Sequence, residues 1–219
     1  NLMRHLDEGS YAGHPFVVQD YMPKTLHNEM DGKPIEFGRA LLYSCQLLSA
    51  IQALHSESLI HRDIKPQNIF VDNLTVYLGD FGLLKKVDRN IDKNDRDDFE
   101  GYFAMPRFYR TPELVGYAAK KGGLDLRSDI FQLGLVIAQM FTGKNILKQV
   151  DNLLAPIELN SVGRINGKHG GLVVKTINEM CEFKLDNRCT IDTALSRFSS
   201  LVETYAKEYE DFHGVSFIG

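Results

Sequence analysis

The chain has only three cysteines, Cys45, Cys181 and Cys189, and they are scattered without metal-ligand spacing. That argues against a disulfide framework and a zinc site and fits a reducing compartment, so a cytoplasmic location is expected. No apolar run approaches the roughly 20 residues that a membrane-spanning helix needs, and no signal-peptide pattern is present. Excess positive charge is missing too. The formal net charge is -4, which gives no reason to expect nucleic acid or an anionic membrane surface as a general partner. There is no internal repeat and no low-complexity tract. What remains is ordinary for a globular protein: 219 residues, 43% of them apolar and 25% charged. That is enough for one large domain or two small ones around a real core.

Chemistry concentrates in one stretch, His61-Arg62-Asp63-Ile64-Lys65-Pro66-Gln67-Asn68, followed shortly by Asp80-Phe81-Gly82. The first string supplies a carboxylate, an ammonium and an amide oxygen, and the second adds another carboxylate. This is a kit for orienting a hydroxyl, steadying a γ-phosphate and holding magnesium. Asn68-Ile69-Phe70-Val71 and Val76-Tyr77-Leu78 read as two short strands, with Asp72-Asn73 in the turn between them. Antiparallel closure brings Asn68 and Asp80 to the same open end. An amide oxygen and a carboxylate then converge, the hard oxygen ligands that Mg2+ prefers.

The two strings resemble the catalytic loop and the metal-binding Asp-Phe-Gly of eukaryotic-type protein kinases. The resemblance implies a mainly α (α+β) fold: a helical kinase large lobe with a short β-hairpin, plus the last strands of the small lobe. Residues 1–22 correspond to a remnant of the small-lobe sheet and hinge, and residues 23–219 to the large lobe. By the same resemblance Asp63 orients the substrate hydroxyl and takes its proton. Lys65 neutralises charge on the transferred phosphoryl group, and its spacing from Asp63 resembles serine/threonine kinases. Asn68 and Asp80 hold magnesium. Gln19 takes the gatekeeper position, the backbone of Asp20 and Met22 meets the adenine edge, Phe70 lies under adenine, and Gln67 joins them in the ATP site. His61 and Phe81 pack in an internal spine, with Gly82 completing the Asp-Phe-Gly.

The rest of the chain fits around this centre. Pro15-Phe16-Val17-Val18-Gln19 is an apolar run suited to a buried strand, and the turn-prone Gly9–Gly13 ahead of it suggests a hairpin. Pro23 stops the strand, and Thr25 is placed to cap a short helix. Leu41, Cys45, Leu48 and Ile51 recur at helical spacing over residues 35–56. Residues 83–110 form a polar, charged segment that reads as mobile and solvated. It ends in Tyr109-Arg110-Thr111-Pro112-Glu113, which resembles the Ala-Pro-Glu of a kinase activation segment. Residues 128–142 predict a helix apolar on nearly every side, with Ser128 or Asp129 as its N-cap. It resembles the central helix of the large lobe, with Phe131 where the family favours tryptophan, and it implies that Asp129 holds the loop backbone near His61 and Arg62. Val173, Val174, Ile177, Met180 and Cys181 make one further helical stripe. Ile191, Leu195, Phe198, Val202, Tyr205 and Tyr209 make another, capped by Thr190. The family pairs the arginine before its last helix, here Arg188, with the glutamate of Ala-Pro-Glu, here Glu113.

The sequence also departs from the pattern. No Gly-x-Gly-x-x-Gly precedes the hinge, and no Val-Ala-Ile-Lys lysine or glutamate partner lies there. The expectation is either a large lobe cut from a whole kinase, which Asn1 as first residue favours, or a naturally truncated chain starting at Met3. Phe70 and Phe81 are then expected to face water, and the missing small lobe or another chain becomes a partner alongside the protein substrate. Such a chain alone is expected to bind Mg-ATP weakly and to transfer phosphate negligibly. Between Gly82 and Thr111 there is no serine or threonine, and Pro106 stands where the family usually has threonine. The expectation is that Asp97, Asp98 or Glu100 engages Arg62 in place of a phosphorylated residue, with phosphorylation of Tyr102 as the alternative. A non-catalytic binding module of kinase shape remains the alternative function, and a small-molecule kinase of related fold ranks behind it.

Overall fold

The computed structural model describes residues 1–87, 108–114, 125–149, 165, 167–214 and 216–217. The chain enters through an antiparallel hairpin of β1 (His5–Tyr11) and β2 (His14–Gln19). Ala12 and Gly13 have φ of 51° and 81°, the positive values that a tight two-residue hairpin turn requires. The turn is therefore shorter than the stretch 9–13 suggested, because Gly9, Ser10 and Tyr11 pair with Phe16, Pro15 and His14. The reading of residues 15–19 as a buried strand is also corrected. Phe16, Val17 and Val18 are 45%, 55% and 40% exposed. A two-stranded ribbon with no second layer over it among the described residues leaves its apolar side chains little to pack on beyond each other's strand, as where the Phe16 ring lies over Gly9.

Thr25 caps α1 (Leu26–Met30) in a reciprocal capping box with Asn28. Glu36 then accepts from the amides of Gly38 and Arg39 to start α2 (Phe37–Ser56). The buried face of α2 is wider than the stripe Leu41, Cys45, Leu48 and Ile51. Ala40, Tyr43, Ser44, Leu47, Ala50 and Leu54 are buried too, while Cys45 lies at the margin. The helix is flanked on several sides, and that broadens its apolar arc.

After α2 come β3 (Leu59–Ile60), β4 (Ile69–Asp72), β5 (Thr75–Leu78) and β6 (Lys85–Lys86). β4 and β5 form the expected hairpin, in register from Ile69 opposite Leu78 to Asp72 opposite Thr75. β3 pairs with β6. Residues 1–3 run beside β5: Met3 N donates to Leu78 O and Leu78 N to Asn1 O, both at 2.8 Å.

The second half supplies α3 (Arg127–Thr142), α4 (Gly170–Met180) and α5 (Ile191–His213). α3 is buried along almost its whole length and ends at Gly143, whose φ of 70° lets its N–H close on Gln139 O. Neither Ser128 nor Asp129 caps it. The helix begins one residue earlier, at Arg127, with no side-chain cap, and Asp129 is engaged elsewhere. Thr190 caps α5 as expected, accepting from Thr193 N. The face of α5 in the core is Ile191, Ala194, Phe198 and Leu201, with Leu195, Val202 and Tyr205 at its edge. α5 packs along α2, and α4 packs on α3. Each fully buried side chain of this size, Phe198 or Leu47 for example, contributes about 1.5–3 kcal/mol. The result is mainly helical with short two-stranded ladders, as expected.

Candidate active site

The stretch 61–68 between β3 and β4 has little regular structure of its own. Other elements hold its backbone. Asp129, fully buried in the first turn of α3, accepts from His61 N through Oδ2 (2.8 Å) and from Arg62 N through Oδ1 (3.0 Å). His55 near the end of α2 meets the same Oδ2 at 3.1 Å. Gln132, one turn further along α3, takes Ile64 N on its oxygen and gives its amide hydrogens to Arg62 O and Tyr109 O. Arg62 sits at φ 70°, a conformation rare for a side chain of its size, which persists where surrounding groups over-determine it.

Within this frame the carboxylate of Asp63 is divided. Lys65 Nζ and Asn68 Nδ2 both donate to Oδ2, at 2.7 and 2.8 Å, and Asn68 Nδ2 also reaches Asp63 O at 2.9 Å. Oδ1 is buried and has no hydrogen-bond partner among the described residues. A buried carboxylate oxygen left without a donor is costly and rare enough to require an explanation.

His61 is wholly buried between this carboxylate and the start of the next segment. Its Nδ1 accepts from Asp63 N (3.3 Å), so Nε2 carries the hydrogen and donates to Gly79 O (3.2 Å). The ring is therefore neutral. Burial, partly opposed by the nearby charges of Asp129 and Asp63, pushes its pKa below the ordinary histidine value. Phe81 lies against it with ring centroids 5.5 Å apart.

Asp80 follows β5 with φ 59°, is exposed, and accepts weakly from Gly82 N at 3.4 Å. Gly79 N donates to Asn68 O at 2.9 Å, which ties the residue before Asp80 to Asn68. Asn68 has committed its nitrogen to Asp63, and its Oδ1 makes no hydrogen bond among the described residues. A side-chain amide oxygen and an exposed carboxylate are therefore on offer at one end of the hairpin, a donor set that suits magnesium. Gly79 itself is in close contact: a methyl group there would lie 2.8 Å from Met3 Cγ and from Phe70 Cε2.

The other residues predicted for the site are more dispersed. Gln19, Asp20 and Met22 are half-buried, and Gln67 is exposed. The segment after them is tied to β4, with Val71 N donating to Lys24 O at 2.9 Å and Thr25 bridged to Phe70. Phe70 and Phe81 are half-buried and do not lie fully open to water. Arg62 Nε donates to Leu83 O at 2.6 Å, just past Gly82. Glu113 meets Arg188 Nη2 at 2.6 Å, and the guanidinium also reaches Glu182 O and Arg127 O and lies 4.9 Å over the ring of Phe131. Asp97, Asp98, Glu100, Tyr102, Pro106 and the stretch 115–123 lie outside the described residues. None of the three thiols is a ready nucleophile. Burial pushes Cys181 up to about 12 and Cys45 and Cys189 up to about 11.

Two residues of the site were not singled out from sequence, His55 and Gln132. Gln132 did leave a signal. A glutamine inside a helix that is apolar on all sides has to find buried partners. His55 left none, since a histidine near a helix end is common.

The protein kinase domain family model matches residues 9–198. Among curated proteins, mitogen-activated protein kinase 4 of Mus musculus is 31% identical over 134 residues, covering 59% of this chain and 21% of the relative. Mitogen-activated protein kinase mpkC of Emericella nidulans is 27% identical over 139 residues, covering 63% and 31%. Glycogen synthase kinase-3 homolog YGK3 of Saccharomyces cerevisiae is 28% identical over 180 residues, covering 79% and 44%. The chain spans less than half the length of each.

Proposed function

The chain belongs to the protein kinase domain family, and from that premise we propose that it is the catalytic lobe of a serine/threonine protein kinase, transferring the γ-phosphate of ATP to a protein hydroxyl. Residues 1–22 are then the end of the small-lobe sheet with the hinge, and residues 23–219 the large lobe. The observation that carries this reading is the divided carboxylate of Asp63. Oδ2 is immobilised by Lys65 and Asn68, while Oδ1 is a buried acceptor waiting for a donor.

In this reading Oδ1 of Asp63 accepts the hydrogen of the substrate hydroxyl, aims its oxygen at the γ-phosphate and takes the proton as the new bond forms. Lys65, held beside Asp63, offsets the negative charge that gathers on the transferred group. Asn68 Oδ1 and the Asp80 carboxylate would hold magnesium. Bound magnesium supplies charge neutralisation on the phosphate oxygens and fixes their orientation. Neutral His61 locks the loop to Gly79 and so keeps Asp63 and Asp80 in register. Gln19, the backbone of Asp20 and Met22, and the side chains of Gln67 and Phe70 line the ATP side. The partners are a protein substrate and a covering small lobe or second chain, and the setting is cytoplasmic.

The test is Asp63→Asn in the full-length protein, assayed for phosphate transfer to a protein acceptor. Loss of the general base is expected to lower kcat by about 10²–10⁴-fold with the KM for ATP little changed. Undiminished transfer by the variant overturns the reading.

A further inference from the structure

We propose that Gln132 is a positioning residue, the clamp that sets the backbone on both sides of Asp63 and couples it to Tyr109. The inference rests on Asp63 being the hydroxyl-orienting carboxylate.

Gln132 is fully buried in α3, where an amide survives only if its polar atoms are used. All of them are. Oε1 accepts from Ile64 N at 3.1 Å, and Nε2 donates to Arg62 O at 3.0 Å and to Tyr109 O at 2.9 Å. The partners also fix which end of the amide is which. A backbone N–H has to face the oxygen and two carbonyls have to face the nitrogen, so the flipped amide would lose all three bonds.

The positions of these partners give the arrangement its meaning. Arg62 O belongs to the peptide that enters Asp63, and Ile64 N to the peptide that leaves it. One planar side chain therefore grips both peptides that flank Asp63. Asp129, three residues earlier on the same helix, takes His61 N and Arg62 N of the loop, both on the near side of Asp63. Arg62, at φ 70°, has its N–H on Asp129 and its C=O on Gln132, so its strained conformation is fixed at both ends. The third bond carries the clamp outward. Tyr109 precedes Thr111-Pro112-Glu113, and Glu113 is fixed to buried Arg188. Through Gln132, a change in the path of residues 109–113 reaches the direction in which Asp63 points.

Gln132→Met keeps the length and volume of the side chain and removes its hydrogen bonds. In the full-length protein, the Ile64 amide should exchange with solvent about 10-fold faster or more once its acceptor is gone. Misaimed by a fraction of an ångström, Asp63 should lose about 10–100-fold in kcat while the KM for ATP stays within about 2-fold. Gln132→Glu keeps an acceptor for Ile64 and loses the two donors. It should retain slow Ile64 exchange and still show the kcat loss. Unchanged Ile64 exchange in Gln132→Met, or a fall in thermal stability with kcat intact, overturns the proposal. If neither variant folds, the side-chain amide hydrogens of Gln132 in the unaltered protein decide it. Slow exchange supports the clamp, and exchange as fast as that of a surface glutamine sinks it. An unaltered protein that transfers no phosphate refutes the function proposed above, while the exchange measurements still decide the clamp.

Discussion

The loop around Asp63 and the β1–β2 hairpin are built from opposite materials and meet opposite fates. The loop is rich in charge and polarity, yet His61, Arg62, Asp63 and Asn68 are all buried. The hairpin strand Phe16-Val17-Val18 is purely apolar and is exposed. What separates them is the supply of partners. Asp129 and Gln132 bring hydrogen-bonding groups to the backbone of His61, Arg62 and Ile64, His55 steadies Asp129, and Lys65 meets the Asp63 carboxylate. Among the described residues the hairpin's sheet has only its own two strands. Burial here follows complementarity of surroundings more closely than residue hydrophobicity.

The largest expected effect tests the supported side of this contrast. Arg188→Ala removes a guanidinium with no exposed side-chain surface, leaving Glu113 and two carbonyls unanswered. The loss should be about 3–5 kcal/mol, the usual result of breaking a buried pair, measured by urea denaturation. A loss below about 1 kcal/mol would mean that the pair is wetter than it looks, and the contrast with the hairpin would weaken.

A smaller effect should appear with pH. His61 is neutral when folded and its pKa is lowered, chiefly by burial. The unfolded chain binds a proton at His61 near the ordinary value of about 6.5, and the folded chain binds it only at lower pH. The contribution of His61 is therefore complete above that value and declines as pH falls from it toward the lowered folded value. His61→Phe should flatten this part of a stability–pH curve. A curve of the same shape in the variant would show that His61 is not the group responsible.

The smallest effect belongs to the hairpin. Val17→Ser, at a position 55% exposed, should change the stability of the chain by no more than about 0.5 kcal/mol. A substantially larger loss, or a change in sedimentation behaviour with protein concentration, would show that something covers this face in solution.

The same contrast explains what was legible beforehand. Asp63, Lys65, Asn68 and Asp80 stood out because their relation is local: a short loop and a tight hairpin bring them to one end whatever surrounds them. The capping role of Thr25 was legible for the same reason. Asp129 was legible in one role and not the other: the family resemblance implied its grip on the backbone near His61 and Arg62, 68 and 67 residues away, while the cap that its local setting also suggested does not form. Cys45 was read as core because the α2 stripe was centred on one edge of a wider face. Val17 looked buried because β-branched residues fit a sheet interior, but which sheet covers a strand is not a property of the strand. Gln132 was passed over for the converse reason, since its role depends on three partners from two distant stretches.

Residues 1–3 tether the exposed hairpin close to the site. Asn1 and Met3 are pinned to Leu78, and Met3 lies against Gly79, immediately before Asp80. β1 begins two residues later, at His5. The most exposed strand pair of the described residues thus departs from the chain two residues after an anchor on the strand that leads into the proposed metal ligand.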